Sequence, residues 1–440
     1  MYQRTGVSKL AKWLSAIREL LSNRVLRAMI SLMLGSSVAK VIGILSMPVL
    51  TRLYEPGDLG LLALFISLTT IVGSILTLRY VVALPIPSSR TRAEALLLLN
   101  FILLLSISTA FAFATWLSIN ALSIEVIHAN REFWANYWWL LPIGSAGFAL
   151  YEVLTMWATR EKLYSAISRS QVAQSLSGTL VKILGGILAP SGFSLIVGQI
   201  FQQSGGLLGI AASSVSATRS ALRRIRLRHL VMVGKRYLEF PIYKLPSHFV
   251  YAVSAQAPVI FSSYAWGASV TGQIGLAFQT IAMPVTLISQ NSGRVYYAEL
   301  ASLGKKNTQA ALDLTRSMAV RLFVIGLSIA ALIFFSAPTI FSIIFGDDWK
   351  LAGNLASALA ITIPAQFVAS PLIMAFNIYG TQRQVLAVHL TRAGLVLAVF
   401  GLSVALQLRP IITIYLYSVL ISIHYGLICL RVTKLIGDTK

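Results

Sequence analysis

Long apolar stretches separated by short polar segments run along nearly the whole chain. A helix needs about 20 apolar residues to cross roughly 30 Å of hydrocarbon, because it rises about 1.5 Å per residue. Twelve stretches meet this length, and we predict a transmembrane helix for each: 28–52, 58–81, 94–121, 134–157, 165–189, 192–215, 246–267, 271–296, 317–345, 352–377, 386–408 and 411–433. The pattern therefore predicts an all-α membrane protein.

The residues ahead of the first predicted span, 1–27, follow a different pattern. Apolar side chains recur at helical spacing from Leu10 to Leu21, while Lys9 and Arg18 fall on the opposite side. Basic amphipathic helices of this kind lie on the surface of an anionic lipid leaflet. We expect the same placement for this segment.

The twelve predicted spans divide into two sets of six, separated by the polar linker 216–245. Arg160 and Arg169 lie nine residues apart after the fourth span. Arg383 and Arg392 repeat this spacing after the tenth. Internal repeats of this size are common in transporters. We predict two six-helix lobes with a short tail: an N-lobe over 28–215, a C-lobe over 246–433 and the tail over 434–440.

The distribution of basic residues predicts the orientation in the membrane. Charged residues make up 11% of the chain and the mean hydropathy is +0.77, whereas a soluble protein carries about 25% charged residues. With a cytoplasmic N-terminus, 29 of the 36 Lys and Arg fall on the cytoplasmic side and four on the other. This bias follows the positive-inside rule, so both termini are expected to be cytoplasmic.

The linker has eight basic residues, which suits two kinds of partner. A cluster of cations can bind nucleic acid, but next to membrane spans it more often lies against anionic lipid. We therefore expect anionic membrane lipid as a partner and no nucleic acid.

Two lysines are predicted to lie inside spans. Lys40 shares a helical stripe with Ser36 and Gly43, and Lys182 shares one with Gln171 and Ser175. A charge at mid-bilayer costs about 3 kcal/mol, so both lysines are expected to face a water-filled cavity. Two alternatives remain open: the side chains reach the headgroups, or they are buried in the neutral form.

The acidic residues lie mostly in loops or at the ends of spans, and of the 14 Asp and Glu only Glu152 falls in the interior of a predicted span. A cavity with lysines and few carboxylates attracts anions. Lys40 and Lys182 are therefore candidate substrate-binding residues, and Glu152 is a candidate for proton coupling.

Further substrate-binding candidates lie in or at the ends of spans: Arg52, Arg79, Arg321, Arg392, Gln174 and Gln279. The arginines either line the cavity or reach the headgroups, and the glutamines either bind sugar hydroxyls or join helices. The single Cys429 and the five scattered histidines offer no metal-ligand spacing. We expect no metal, no cofactor and no catalytic residue.

Several stretches resemble one family of transporters: "MPVLTRLYEPGDLGLLALFISL", "LRYVVALPIP" and "LLPIGSAGFALYEVLTMWATREKLYSAISRSQ". With the lysine pair, they look like the polysaccharide-biosynthesis flippases of the multidrug/oligosaccharidyl-lipid/polysaccharide (MOP) exporter superfamily, specifically the O-antigen flippases called Wzx. The resemblance implies a two-lobed bundle of twelve helices around a central cavity.

The resemblance also implies a function. The substrate would be an oligosaccharide repeat unit on undecaprenyl diphosphate, moved from the cytoplasmic to the periplasmic leaflet of a bacterial inner membrane with an ion gradient as the driving force. A single chain would form the transport unit, and an O-antigen polymerase and a chain-length regulator would be its partners.

Three other classes fit the sequence less well. A drug or cation exporter of the same superfamily needs membrane carboxylates, and a peptidoglycan-precursor flippase usually has additional helices. A membrane glycosyltransferase or O-antigen polymerase generally has a large loop with catalytic acids, whereas Glu239 is the only acid of the linker. We therefore expect a transporter and not an enzyme.

Overall fold

The computed structural model describes residues 24–120, 131–304 and 307–438. Within these ranges the chain is helical almost throughout and has no strand. Most of the predicted amphipathic segment 1–27 lies outside the described residues. The helices are α1 Arg24–Leu53, α2 Pro56–Gly73, α3 Arg90–Asn120, α4 Arg131–Tyr137, α5 Leu140–Arg160, α6 Tyr164–Leu188, α7 Gly192–Ser204, α8 Leu207–Arg224, α9 Leu227–Arg236, α10 Leu245–Leu303, α11 Thr308–Phe345, α12 Lys350–Ala360, α13 Ile363–Leu372, α14 Gln382–Ala405 and α15 Pro410–Gly437.

Eight helical stretches of the described chain are long and apolar enough to cross a membrane. They are Leu34–Leu53, Pro56–Gly73, Arg90–Ile119, Leu140–Arg160, Gly192–Ala212, Thr308–Phe345, Arg383–Ala405 and Pro410–Gly437. The bent pair Asp347–Ala360 and Ile363–Asn377, with an angle of 56°, makes a ninth if it is one span. The three remaining predicted spans, α6 and the two parts of α10, are also helical, and each carries polar side chains that line a cavity described below.

Helix α10 contains two of the predicted spans. Gly267, with φ of 79° and ψ of −179°, interrupts its helical backbone. The part before Gly267 ends beside the C-terminus of α14, where the Trp266 indole N–H donates to the Leu408 carbonyl at 3.2 Å. The part after it ends where the Tyr296 hydroxyl meets the Thr315 hydroxyl at 2.9 Å. The chain therefore turns at Gly267 and runs back.

The predicted span 58–81 is wrong at its C-terminal end. Helix α2 ends at Gly73, and Leu78 and Arg79 have left-handed φ values of 46° and 61°. A short 3₁₀ helix, Tyr80–Ala83, follows. A left-handed non-glycine residue costs of order 1 kcal/mol, so other contacts must hold this turn. The contact of Arg79 described below is one of them.

The two lobes meet at one end of the molecule, which we call the closed end and define as residues 51–60, 268–275 and 348–352. A Cβ atom at Gly60 would lie 1.9 Å from the carbonyl oxygen of Ala268, and one at Gly272 would lie 2.0 Å from that of Pro56. Helices α2 and α10 therefore touch through their main chains, as small residues allow in membrane proteins. The Trp349 indole N–H also donates to the Thr51 carbonyl at 3.1 Å.

Candidate functional site

Two adjoining cavities lie between the lobes. The deep chamber, of about 440 Å³, extends to Leu59 and Gly272 at the closed end. The mouth chamber, of about 420 Å³, is more open and reaches Ser36 and Thr286. Gly43, Gln202, Gln279 and Ala282 line both. The two chambers therefore form one central cavity that is blocked at the closed end.

Lys182 is buried in the wall of the deep chamber, with 6% of its surface exposed. Its ammonium donates to Oε1 of Gln199 at 2.6 Å and to Oε1 of Gln202 at 2.5 Å. A Cβ atom at Gly198 would lie 2.4 Å from Cγ of Lys182, so this glycine lets α6 and α7 come close enough for the bonds to form. Within the described chain no carboxylate pairs with Lys182. Two neutral amides thus solvate a buried cation.

Lys40 lines the mouth chamber and is exposed. Ser175 holds the neighbouring backbone, since its hydroxyl donates to the Ala39 carbonyl at 2.7 Å. Arg294 of α10 is close enough for its charge to act on that of Lys40. Among the described residues, Lys40 is thus the cation that lines the mouth chamber, and Arg294 acts on it from outside the lining of either chamber.

Four of the eight predicted substrate-binding residues line the chambers. Besides the two lysines they are Gln279, which is exposed and lines both chambers, and Gln174, which lines the mouth chamber. The Gln174 amide N–H donates to the Gln203 carbonyl at 2.8 Å, so it also joins α6 to α7.

The four arginines line neither chamber. Arg52 is exposed in the last turn of α1, where a long side chain reaches lipid headgroups, whereas Arg321 is exposed 13 residues after the start of α11. Arg392 is stacked at 5.5 Å from the centre of the Tyr251 ring, and its buried Nε has no hydrogen-bond partner among the described residues.

Arg79 is paired with Glu152, the candidate coupling residue. The Nη1 and Oε1 atoms are 3.0 Å apart, and both side chains are largely buried between the 3₁₀ helix and α5. Oε2 of Glu152 and Nε of Arg79 are buried without partners in the described chain. The left-handed turn at Arg79 brings its guanidinium to Glu152, the only carboxylate predicted in the interior of a span. The predicted substrate-binding arginine and the predicted coupling residue therefore form one ion pair.

The prediction from helical stripes missed two residues of the site, Gln199 and Gln202. The three-residue spacing of the two glutamines in a predicted span places them on one helix face, which was an available signal. It also missed that His248 and His389 both lie near Tyr251, with ring centres 6.2 and 5.1 Å away. No group of three metal-ligating side chains occurs within the described ranges.

The fold is similar to that of several solved membrane transporters. Lipid II flippase MurJ in an inward closed conformation matches with a TM-score of 0.69 and 13% identity, over 92% of this chain and 87% of that one. The MATE multidrug transporter DinF-BH in complex with R6G matches with a TM-score of 0.60 and 15% identity, over 94% and 96%. An inward-facing MATE family transporter of the MOP superfamily matches with a TM-score of 0.56 and 14% identity, over 93% and 95%. At these identities the likeness is one of fold.

The particular family follows from the sequence. Residues 49–354 match the family model described as polysaccharide biosynthesis protein, and the chain belongs to that family. No curated protein sequence matches significantly. The chain is thus a multi-pass membrane protein of the polysaccharide biosynthesis family, and its all-α fold is like that of these solved transporters.

Proposed function

We propose that this protein is a flippase for undecaprenyl-diphosphate-linked O-antigen repeat units, working by alternating access. The observation that carries the proposal is the chemistry of the central cavity: two lysines and several glutamines line it, and none of its lining residues in the described chain is acidic. Such a cavity suits a ligand that combines negative charge with many hydroxyl groups.

The diphosphate is assigned to the mouth chamber. Lys40 is exposed there and Arg294 is nearby, so their N–H groups can bind phosphate oxygens. A pair of opposite charges at 4 Å contributes about 4 kcal/mol at an effective dielectric constant of about 20. Lys182 has two of its three N–H bonds directed to glutamines, which leaves one for a ligand.

The sugars are assigned to the deep chamber. Gln199, Gln202, Gln256 and Gln279 line it, and each amide group both donates and accepts hydrogen bonds. Sugar hydroxyls require this combination. The apolar side chains of the same chamber, such as Leu276 and Phe278, can cover the faces of the sugar rings.

The orientation proposed from the charge bias gives the cavity a direction. With both termini in the cytoplasm of a bacterial cell, the closed end lies at the periplasmic side of the inner membrane and the mouth chamber opens toward the cytoplasm. This state suits loading from the cytoplasmic leaflet. We propose an ion gradient as the driving force, with Glu152 as the proton-binding group, a single chain as the transport unit, and an O-antigen polymerase and chain-length regulator as partners.

Replacement of Lys40 tests the proposal. In a strain that lacks its O-antigen flippase, we expect Lys40→Ala to lower surface O-antigen by roughly 100-fold, because the loss of a charge-assisted contact costs about 3 kcal/mol. Lys40→Arg should retain part of the activity. The control Arg321→Ala removes an exposed cation that lines neither chamber and should have no effect.

The outcomes separate the proposal from its alternatives. Normal O-antigen with Lys40→Ala at normal membrane abundance would reject the proposed site. Export of a cationic dye by reconstituted protein, with no movement of the lipid-linked oligosaccharide, would favour the drug-exporter alternative. Synthesis of glycosidic bonds by the purified chain would favour the enzyme alternative.

A further inference from the structure

The predicted linker 216–245 is largely helical in the structure and is fixed to the N-lobe along one side. Val233 of α9 is 1% exposed and belongs to a core with Tyr80 and Leu97. The Tyr80 hydroxyl donates to the Gly234 carbonyl at 2.9 Å. Helix α9 is thus a firmly packed element with a defined outer face.

The outer face of α9 mixes apolar and basic side chains. Leu227 is 75% exposed, and Val231 and Met232 are also exposed. Arg228, Lys235 and Arg236 are exposed beside them. At about 100° per residue these six positions fall within half of the helix circumference. Large apolar groups and cations therefore share one free surface.

A groove continues this surface toward the C-lobe. It has a volume of about 580 Å³ and is lined by four linker residues and two residues of the C-lobe: Glu239, Phe240, Tyr243, Lys244, Thr381 and Arg383. The Tyr243 side chain is 68% exposed. The groove thus combines aromatic rings with one cation from the linker and one from the C-lobe, next to the single carboxylate of Glu239.

We propose that this surface, residues 223–244 with Arg383, binds the anionic phospholipids of one membrane leaflet. The cations match phosphate headgroups, since Glu239 is the only acid of the segment. The apolar groups match the boundary of the acyl chains, whereas a nucleic acid would leave Leu227 and Met232 in water. Clusters of four to eight basic residues next to a transmembrane helix attract anionic lipid with about 1 kcal/mol per cation.

The inference goes beyond the proposed transport function, because the surface lies outside the central cavity and needs no lipid-linked sugar. The ligand is a bulk lipid that surrounds the protein, and its diglyceride chains stay in the bilayer while its headgroup pairs with the cations. Binding should therefore weaken in salt, since the pairs are exposed.

A fluorophore at Val231 tests the proposal in the full chain. Cys429→Ser removes the only cysteine, and Val231→Cys then carries a bimane group. The protein is placed in nanodiscs of phosphatidylcholine with increasing phosphatidylglycerol, and the same fraction of acyl chains is brominated in both lipids. We expect the bromine quenching to rise by about twofold as phosphatidylglycerol is added, and to fall again in high salt.

A variant that lacks three cations of the proposed lipid-binding surface is compared with a control variant that lacks three cations elsewhere. The triple variant Arg228→Gln, Lys235→Gln, Arg236→Gln should raise the phosphatidylglycerol fraction at half-maximal quenching by roughly threefold or more. The control Arg316→Gln, Arg431→Gln, Lys434→Gln removes the same charge from exposed positions outside the linker and should leave it unchanged.

Three results would overturn the inference. They are quenching that does not depend on phosphatidylglycerol, an equal effect of the control variant, and reversal of the signal by an oligonucleotide at constant salt. The baseline quenching in pure phosphatidylcholine shows whether each variant is folded and embedded in the bilayer. A misfolded variant is replaced by the conservative double variant Arg228→Lys, Arg236→Lys. That variant keeps both charges and should behave as the parent.

Discussion

The two walls of the central cavity differ in charge. The N-lobe wall carries Lys40 and Lys182 with the glutamines of α6 and α7. The C-lobe wall of the deep chamber carries Gln256 and Gln279 among apolar residues such as Val259 and Leu276. Charge is thus concentrated on one wall, and the other offers shape and hydrogen bonds. An anionic ligand would remain with the N-lobe while the C-lobe wall moves past it.

The N-lobe wall itself contains two kinds of lysine. Lys182 is buried and bonded to two amide oxygens, whereas Lys40 is exposed at the mouth. The difference suits different tasks in the proposed transport cycle. Lys40 would attract a charged group at the entrance, and Lys182 would present an amino group that the two glutamines already hold in place at depth.

The largest effect is expected from Lys182→Met. The apolar side chain fits the buried space, so we expect a melting temperature within a few degrees of the parent, since buried cations contribute little net stability. The proposed transport should nevertheless fall by roughly 100-fold, because the fixed charge is lost. Flipping of a lipid-linked oligosaccharide in proteoliposomes measures the second effect, and thermal unfolding measures the first.

The result is interpreted against Thr179→Val, a smaller polar change in the same chamber. If Lys182→Met transports normally, the charge of the N-lobe wall has no role and the contrast between the walls fails.

We expect the next largest effect from a change in the contact between α2 and α10 at the closed end. Gly272→Ala places a Cβ atom 2.0 Å from the Pro56 carbonyl oxygen, so α2 and α10 must separate. We expect roughly a tenfold loss of transport and faster labelling of a cysteine introduced at Leu59, which lines the deep chamber. Gly57→Ala is the matched control, because a Cβ there has open space. Equal transport and equal labelling rates for the two variants would contradict the conclusion that α2 and α10 close the cavity at this end.

Glu152→Gln probes the N-lobe away from the cavity wall. It leaves the guanidinium of Arg79 largely buried without its carboxylate, and we expect a loss of roughly 1 to 3 kcal/mol of stability together with a loss of proton-driven transport. The double variant Arg79→Gln, Glu152→Gln should recover most of the stability and none of the coupling. Recovery of both would make the pair purely structural.

The smallest effect is expected from the C-lobe wall. Gln279→Leu removes one exposed amide from the region that both chambers share. A neutral hydrogen bond is worth about 1 kcal/mol, so transport should fall by about fivefold. If Gln279→Leu lowered transport more than Lys182→Met in the same flipping measurement, the C-lobe wall would contribute more to transport than the N-lobe wall.

The hydrophobic pattern predicted the fold well because length and apolarity are local properties. The family and the all-α transporter fold are confirmed. The break at Gly267 also falls between two predicted spans, 246–267 and 271–296. The end of α2 could not be predicted, since the apolar run continues through Leu84 while the backbone turns at Leu78 and Arg79.

The sequence predicted only those features of the site that depend on the spacing of residues along a single helix. The stripes of Lys40 and Lys182 follow from helical spacing, but the partners of Lys182 lie on another helix, and their approach depends on Gly198. The Arg79–Glu152 pair joins residues 73 positions apart and requires a left-handed turn. Such contacts depend on how helices rotate against each other, which single-helix patterns do not encode.

The seam at the closed end bears on how the lobes move. Gly60 and Gly272 present bare main chain to the facing helix, so at these two points no side chain stands between α2 and α10. Smooth helix surfaces can slide along each other, and each lost atom contact costs only about 0.1 to 0.2 kcal/mol. One indole bond, from Trp349 to Thr51, secures the seam against this shear. Its strength therefore sets how readily the periplasmic exit would part in the proposed cycle.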